Sequence, residues 1–121
     1  MKKALIVDDS SYNRTLLSAI LRKRGLAVEM AENGEEGVQK FPVYDPDIVF
    51  LDYIMPRKNG VEALAEMKKI KPGCIGVMLT SISGAEEVQE AKLAGANAYI
   101  LKPYEADKIY EVLKKFNLVE E

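Results

Sequence analysis

Histidine is absent from this 121-residue chain, and cysteine occurs once, at Cys74. Without histidine there is no Ser-His-Asp or Cys-His arrangement, and the commonest general base is missing. Disulfides and the nitrogen and sulfur metal sites are excluded as well, so any metal must be held by oxygen. A surplus of positive charge is also lacking: 17 Lys and Arg stand against 19 Asp and Glu, a formal net charge of -2. Direct nucleic-acid binding, which needs a basic face, is therefore disfavoured. No apolar run is long enough to span a bilayer, and the stretch Ala4-Leu5-Ile6-Val7 reaches Asp8 too soon to be a signal-peptide core. The expectation is a cytoplasmic protein with no membrane insertion.

What the chain does hold is enough apolar material, 48% of its residues, for one sizeable core. No linker, repeat or charge block interrupts it, so residues 1–121 read as a single domain. Short apolar runs alternate with longer amphipathic stretches, the pattern of an α/β unit. Strands are expected from Ala4 to Val7, Leu26 to Met30, Ile48 to Leu51, Ile75 to Leu79 and Ala98 to Leu101. The third is apolar without alternation, as suits a parallel strand covered on both faces. Helices are expected from about Ser11 to Arg24, Gly34 to Phe41 (ending before Pro42), Gly60 to Lys71, Ala85 to Ala94 and Tyr104 to Phe116. Leu17, Ile20 and Leu21 give the first its apolar stripe, and Ile109, Val112, Leu113 and Phe116 give the last its own. Gly25 and Gly95 stand as C-terminal stops. The crossovers imply a doubly wound parallel sheet with helices on both faces.

The chemistry sits at strand ends. Ile6-Val7-Asp8-Asp9 puts two carboxylates where the first strand stops, and Phe50-Leu51-Asp52 puts a third after the third strand. Strand carboxyl ends are where open α/β sheets bind ligands, above all where the strand order reverses. If the strand order is 2-1-3-4-5, that reversal lies between these two strands and the three acids converge. Two carboxylates ~5 Å apart repel by roughly 3 kcal/mol at an effective dielectric near 20. A divalent cation relieves this, and few, hard oxygen ligands suit Mg²⁺. Taken alone, Asp8 and Asp9 also read as helix caps and Asp52 as a polar strand end. Leu79-Thr80-Ser81 adds a hydroxyl, and Ile100-Leu101-Lys102-Pro103 adds an ammonium. Together they compose a phosphoryl-transfer site with a nucleophile, a metal and two anion-binding groups.

At this point the chain resembles the receiver domains of two-component response regulators, the stand-alone chemotaxis type in particular, over essentially all of its length. The matching pieces are Leu5-Ile6-Val7-Asp8-Asp9-Ser10, the run Pro46 to Pro56, Asn59-Gly60, Thr80-Ser81, Ala94-Gly95-Ala96 and Tyr99-Ile100-Leu101-Lys102-Pro103-Tyr104. The resemblance implies a flavodoxin-like five-stranded sheet of order 2-1-3-4-5. It implies that Asp52 accepts a phosphoryl group from a phosphohistidine on a sensor histidine kinase or phosphotransfer protein. Mg²⁺ would bind Asp9, Asp52 and the carbonyl of Ile54, with Asp8 acting through water. Lys102 would pair with the phosphoryl oxygens, and the Lys102-Pro103 bond would be cis. Thr80 would turn towards the phosphoryl group and Tyr99 would follow, signalling to a downstream protein target through the fourth helix, fifth strand and fifth helix. Leu16, near the metal end of the first helix with Asn13, would be a kinase-docking contact; Ile54 and Ile82, which cannot orient an attacking water by hydrogen bonding, are expected to slow autodephosphorylation. The chain departs from the commonest pattern at Lys58 and Asn59, where Met and Asp are frequent, and at Ser81, where Ala is. Because it begins at Met1 and stops soon after the last helix, a stand-alone receiver is expected.

Two other functions share parts of this pattern. A flavodoxin-like cofactor binder would need a hydroxyl- or glycine-rich phosphate loop where Asp8-Asp9 stands. An aspartate-nucleophile phosphatase would place Asp-x-Asp there, and a cap domain elsewhere. A receiver that serves only as a contact module would not need the acidic cluster, Thr80 and Lys102.

Overall fold

The computed structural model describes residues 1–119. Five strands, β1 (Lys3–Val7), β2 (Ala27–Ala31), β3 (Ile48–Leu51), β4 (Ile75–Thr80) and β5 (Ala98–Leu101), alternate with five helices, α1 (Ser11–Lys23), α2 (Gly34–Tyr44), α3 (Gly60–Ile70), α4 (Ala85–Leu93) and α5 (Ala106–Lys115). All pairings are parallel, in the order β2-β1-β3-β4-β5, with Ile6 opposite Phe50 and Leu51 opposite Met78. The order reverses between β1 and β3, as expected.

The period of two along each strand divides the core. Ala4, Ile6, Ile48, Phe50, Val77 and Leu79 face Leu17 and Leu21 of α1 and Ile109, Val112 and Leu113 of α5. Leu5, Val7, Val49, Leu51 and Met78 face Phe41 of α2, Leu64 and Met67 of α3 and Ala91 of α4. Every residue of β3 is buried, which explains its lack of polar alternation. With its neighbours packed on both faces, truncating Phe50 to Ala would cost about 3–5 kcal/mol.

Helix starts follow local chemistry. Ser10, Asn33 and Asn59 accept from backbone N–H groups in the first turns of α1, α2 and α3, and Asn59 with Glu62 completes a reciprocal capping box. Gly25, at φ 89°, takes the left-handed turn that ends α1. Two boundaries differ from expectation by more than one residue. α2 runs through Pro42 to Tyr44. Proline forfeits one backbone bond there, but Asp45 N donates to Phe41 O at 2.9 Å, Lys3 Nζ donates to Tyr44 O at 2.7 Å, and the Tyr44 ring packs on the core. α5 begins at Ala106 instead of Tyr104, with Tyr104 packed beside the α1–α5 core from the preceding turn. No described helix is long and apolar enough to cross a membrane.

Candidate functional site

The parallel register brings the ends of β1 and β3 side by side, with Val7 opposite Leu51, so the acids that follow them meet. One carboxylate oxygen from each of Asp8, Asp9 and Asp52 lies within 4.8 Å of the others. Asp8 is buried, Asp52 half-buried and Asp9 exposed. Lys102, reaching back from the end of β5, donates to Asp8 Oδ2 at 2.9 Å and to Asp52 Oδ2 at 3.2 Å. Burial on its own would lower the Lys102 pKa; the hydrogen bond to Asp8 and the charges of Asp52 and Asp8 outweigh it, and the pKa is raised. The ammonium therefore stays charged and offsets part of the repulsion. Asp9 has no hydrogen-bond or ion-pair partner among the described residues, so Lys102 bonds two of the three carboxylates and the third is left unpaired.

The backbone holds these side chains in place. Asp8 Oδ1 accepts from Ser10 N at 2.9 Å, and Asp52 Oδ1 accepts from Tyr53 N at 2.7 Å. The loop after β3 is drawn against the start of α3, where Gly60 N donates to Tyr53 O at 2.8 Å. A Cβ on Gly60 would stand 2.0 Å from the Asp52 carbonyl oxygen, so only glycine permits this approach. Ile54, in the same loop, has an exposed side chain. The Lys102-Pro103 peptide is cis.

Thr80 closes β4 with its side chain buried, its Oγ1 accepting from Ile82 N at 3.3 Å. Tyr99 is half-buried and donates its hydroxyl to Ile82 O at 2.6 Å. Both therefore meet at the β4–α4 loop. Leu16 and Asn13 line a groove of about 370 Å³ with Tyr12, Ser81, Lys102, Pro103 and Tyr104. Lys58 is engaged with Glu66 and Asn59 caps α3, so neither departure from the common pattern leaves a free group in the site.

Sequence reasoning missed Arg14. Its guanidinium donates to the Asp8 carbonyl at 2.6 Å and lies 3.5 Å from Glu32. The signal was present in the α1 spacing, since Arg14 stands one turn after the Ser10 cap and can reach back over the end of β1.

The response regulator receiver domain family matches residues 4–114. The chain is 39% identical over 112 residues to the chemotaxis protein CheY of Halobacterium salinarum, covering 93% of each chain. A CheY-like receiver domain protein from Methanospirillum hungatei superposes with a TM-score of 0.92 at 30% identity, covering 98% of this chain and 95% of the other. The response regulator TrrA of Thermotoga maritima, solved in complex with Mg(2+)-BeF, superposes with a TM-score of 0.87 at 35% identity, covering 96% and 99%.

Proposed function

The chain belongs to the response regulator receiver domain family, and from that premise we propose that it is a phosphorylation-dependent switch whose phosphoacceptor is Asp52. The observation that carries this reading is the convergence of Asp8, Asp9 and Asp52, of which Lys102 bonds Asp8 and Asp52 and leaves Asp9 without a partner among the described residues. Such a cluster is costly unless it serves a cation or an anion in transit.

An oxygen-only donor set of three carboxylates fits Mg²⁺. Asp9 and Asp52 would hold it with the carbonyl of Ile54, and Asp8 through water. When bound, Mg²⁺ supplies neutralising charge for the phosphoryl oxygens. The chain's own residues do the rest. Asp52, oriented by the Tyr53 N–H, forms the new O–P bond as the N–P bond of a phosphohistidine breaks and its electron pair leaves with the imidazole. The chain has no histidine, so the donor comes from a partner, a sensor histidine kinase or phosphotransfer protein. Lys102 exchanges its bonds to the carboxylates for bonds to the phosphoryl oxygens. Thr80 gives up its turn bond to Ile82 N to reach the same oxygens, and Tyr99, bonded to Ile82 O, follows. The result is a shift in a pre-existing equilibrium that alters binding of a downstream protein target.

Residues 1–121 are read as one receiver domain, acting in the cytoplasm. It is a signalling domain and not an enzyme on separate substrates, although it assists its own phosphorylation and dephosphorylation. Incubation with a small phosphodonor and Mg²⁺, followed by intact-mass measurement, tests the proposal. Wild type should gain one phosphoryl group and Asp52→Ala none; a wild type that gained none would refute it.

A further inference from the structure

Tyr53 makes a contact that the phosphoacceptor scheme does not use. Its phenol donates to Glu90 Oε2 on α4 at 2.5 Å. The N–H of the same residue donates to Asp52 Oδ1, and its carbonyl accepts from Gly60 N. One residue thus touches the reactive carboxylate with its main chain and α4 with its side chain.

α4 has little else to hold it. Ala91 is its one buried residue, and its N-cap, Gly84, offers no side-chain bond to the first turn. α5, on the other side of β5, buries Ile109, Val112 and Leu113. A short hydrogen bond to a carboxylate is therefore a large part of what fixes the position of α4. The donor is intact over the whole neutral range, because the hydrogen bond to Glu90, with burial and nearby acidic charge, pushes the Tyr53 pKa up to about 12.

We propose that the Tyr53–Glu90 bond is a tether that holds α4 in the arrangement of the unmodified chain and passes the state of Asp52 to that helix. The proposal rests on reading Asp52 as the phosphoacceptor. A phosphoryl group on Asp52 redistributes the bonds to its carboxylate, including the one from Tyr53 N. The phenol then shifts with its own backbone, and a bond this short tolerates little displacement. Coupling of this kind is reciprocal. Whatever frees Glu90 from Tyr53 must ease modification of Asp52, and a partner that pulls on α4 must be felt at the acidic cluster. This route is separate from Thr80 and Tyr99, which act through the β4–α4 loop.

The test compares wild type, Tyr53→Phe, Glu90→Gln and the double variant of the full chain by two measurements. Amide exchange of residues 85–93 in the unmodified, metal-free protein reports the tether without any chemistry at Asp52. Titration with beryllofluoride and Mg²⁺ reports the coupling. Each single variant should speed α4 exchange about three- to tenfold, the size of one charged hydrogen bond partly exposed to water, and leave α5 unchanged. Each should tighten beryllofluoride binding by a similar factor, and the double variant should add nothing further. Unchanged α4 exchange, or additive effects, would overturn the tether. Faster exchange with unchanged or weaker beryllofluoride binding would overturn its coupling to Asp52. A wild type that bound no beryllofluoride while α4 exchange still responded would reduce the contact to a structural tie and remove the reading of Asp52 on which the coupling rests.

Discussion

The two ends of the same sheet handle charge in opposite ways. At the amino ends, Lys3 and Lys71 meet Asp45 and Asp47. Lys3 N donates to Asp47 Oδ2 at 2.8 Å, Lys3 Nζ to Tyr44 O at 2.7 Å, and Lys71 Nζ to Asp45 Oδ1 at 2.9 Å and Pro46 O at 3.2 Å. Each of these acids has a donor. At the carboxyl ends, Asp8 and Asp52 share Lys102, and Asp9 beside them has no partner among the described residues. The difference separates acids that the chain pairs for itself from one, Asp9, that it leaves without a partner among the described residues. Charge that the chain can satisfy itself contributes stability; charge it leaves unsatisfied is available for binding.

Glycine substitutions should break the comparison most visibly. Gly60→Ala forces a Cβ against the backbone carbonyl of Asp52, an atom that cannot give way without moving the loop after β3. A loss of about 3 kcal/mol in a denaturant titration is expected, at the upper end for overpacking. Gly73, in the turn before β4 at the other end, has nothing within 4 Å of its would-be Cβ and no positive φ. Gly73→Ala should therefore be neutral or stabilising by up to about 1 kcal/mol, through the unfolded chain. Similar losses at both positions would contradict the assignment of close packing to the carboxyl end alone.

A smaller effect of opposite sign is expected at the acidic cluster. Asp9→Asn removes a like charge that has no partner to lose. The metal-free protein should gain about 1 kcal/mol, the cluster repulsion reduced by exposure and salt. Mg²⁺ should then stabilise the variant less than it stabilises wild type, in paired thermal melts with metal and with chelator. A loss of stability in Asp9→Asn without metal would mean that the carboxylates are already compensated.

Much of this asymmetry was legible in the sequence because strand ends are marked by abrupt changes of polarity. Val7 to Asp8, Leu51 to Asp52, Leu79 to Thr80 and Leu101 to Lys102 each pass from apolar to polar in one step, and parallel topology then collects such steps at one edge. The course of α2 through Pro42 was not legible, since the bonds that hold Tyr44 come from Lys3 and the core, far away in sequence. Glu32's contact with Arg14 and the Tyr53–Glu90 contact escaped for the same reason. Exposed-looking charged and aromatic residues reveal their partners only when distant helices are in place, and periodicity alone assigns them to a solvated face.

The smallest expected effect concerns the satisfied end. The side-chain hydrogen bond from Lys71, with its charge, holds the Asp45 carboxyl below its ordinary pKa of 3.8. A carboxyl with a depressed folded-state pKa adds stability that is complete above its unfolded value and disappears as pH falls through the folded one. The contribution should therefore be present from about pH 5 upward and fade below 3.8. Because the pair is exposed to solvent, its whole effect is small and weakens with salt. Denaturant midpoints of wild type and Lys71→Met should differ slightly at neutral pH and converge in acid. A gap that persisted unchanged well below pH 3.8 would mean that the Lys71–Asp45 pair does not carry it.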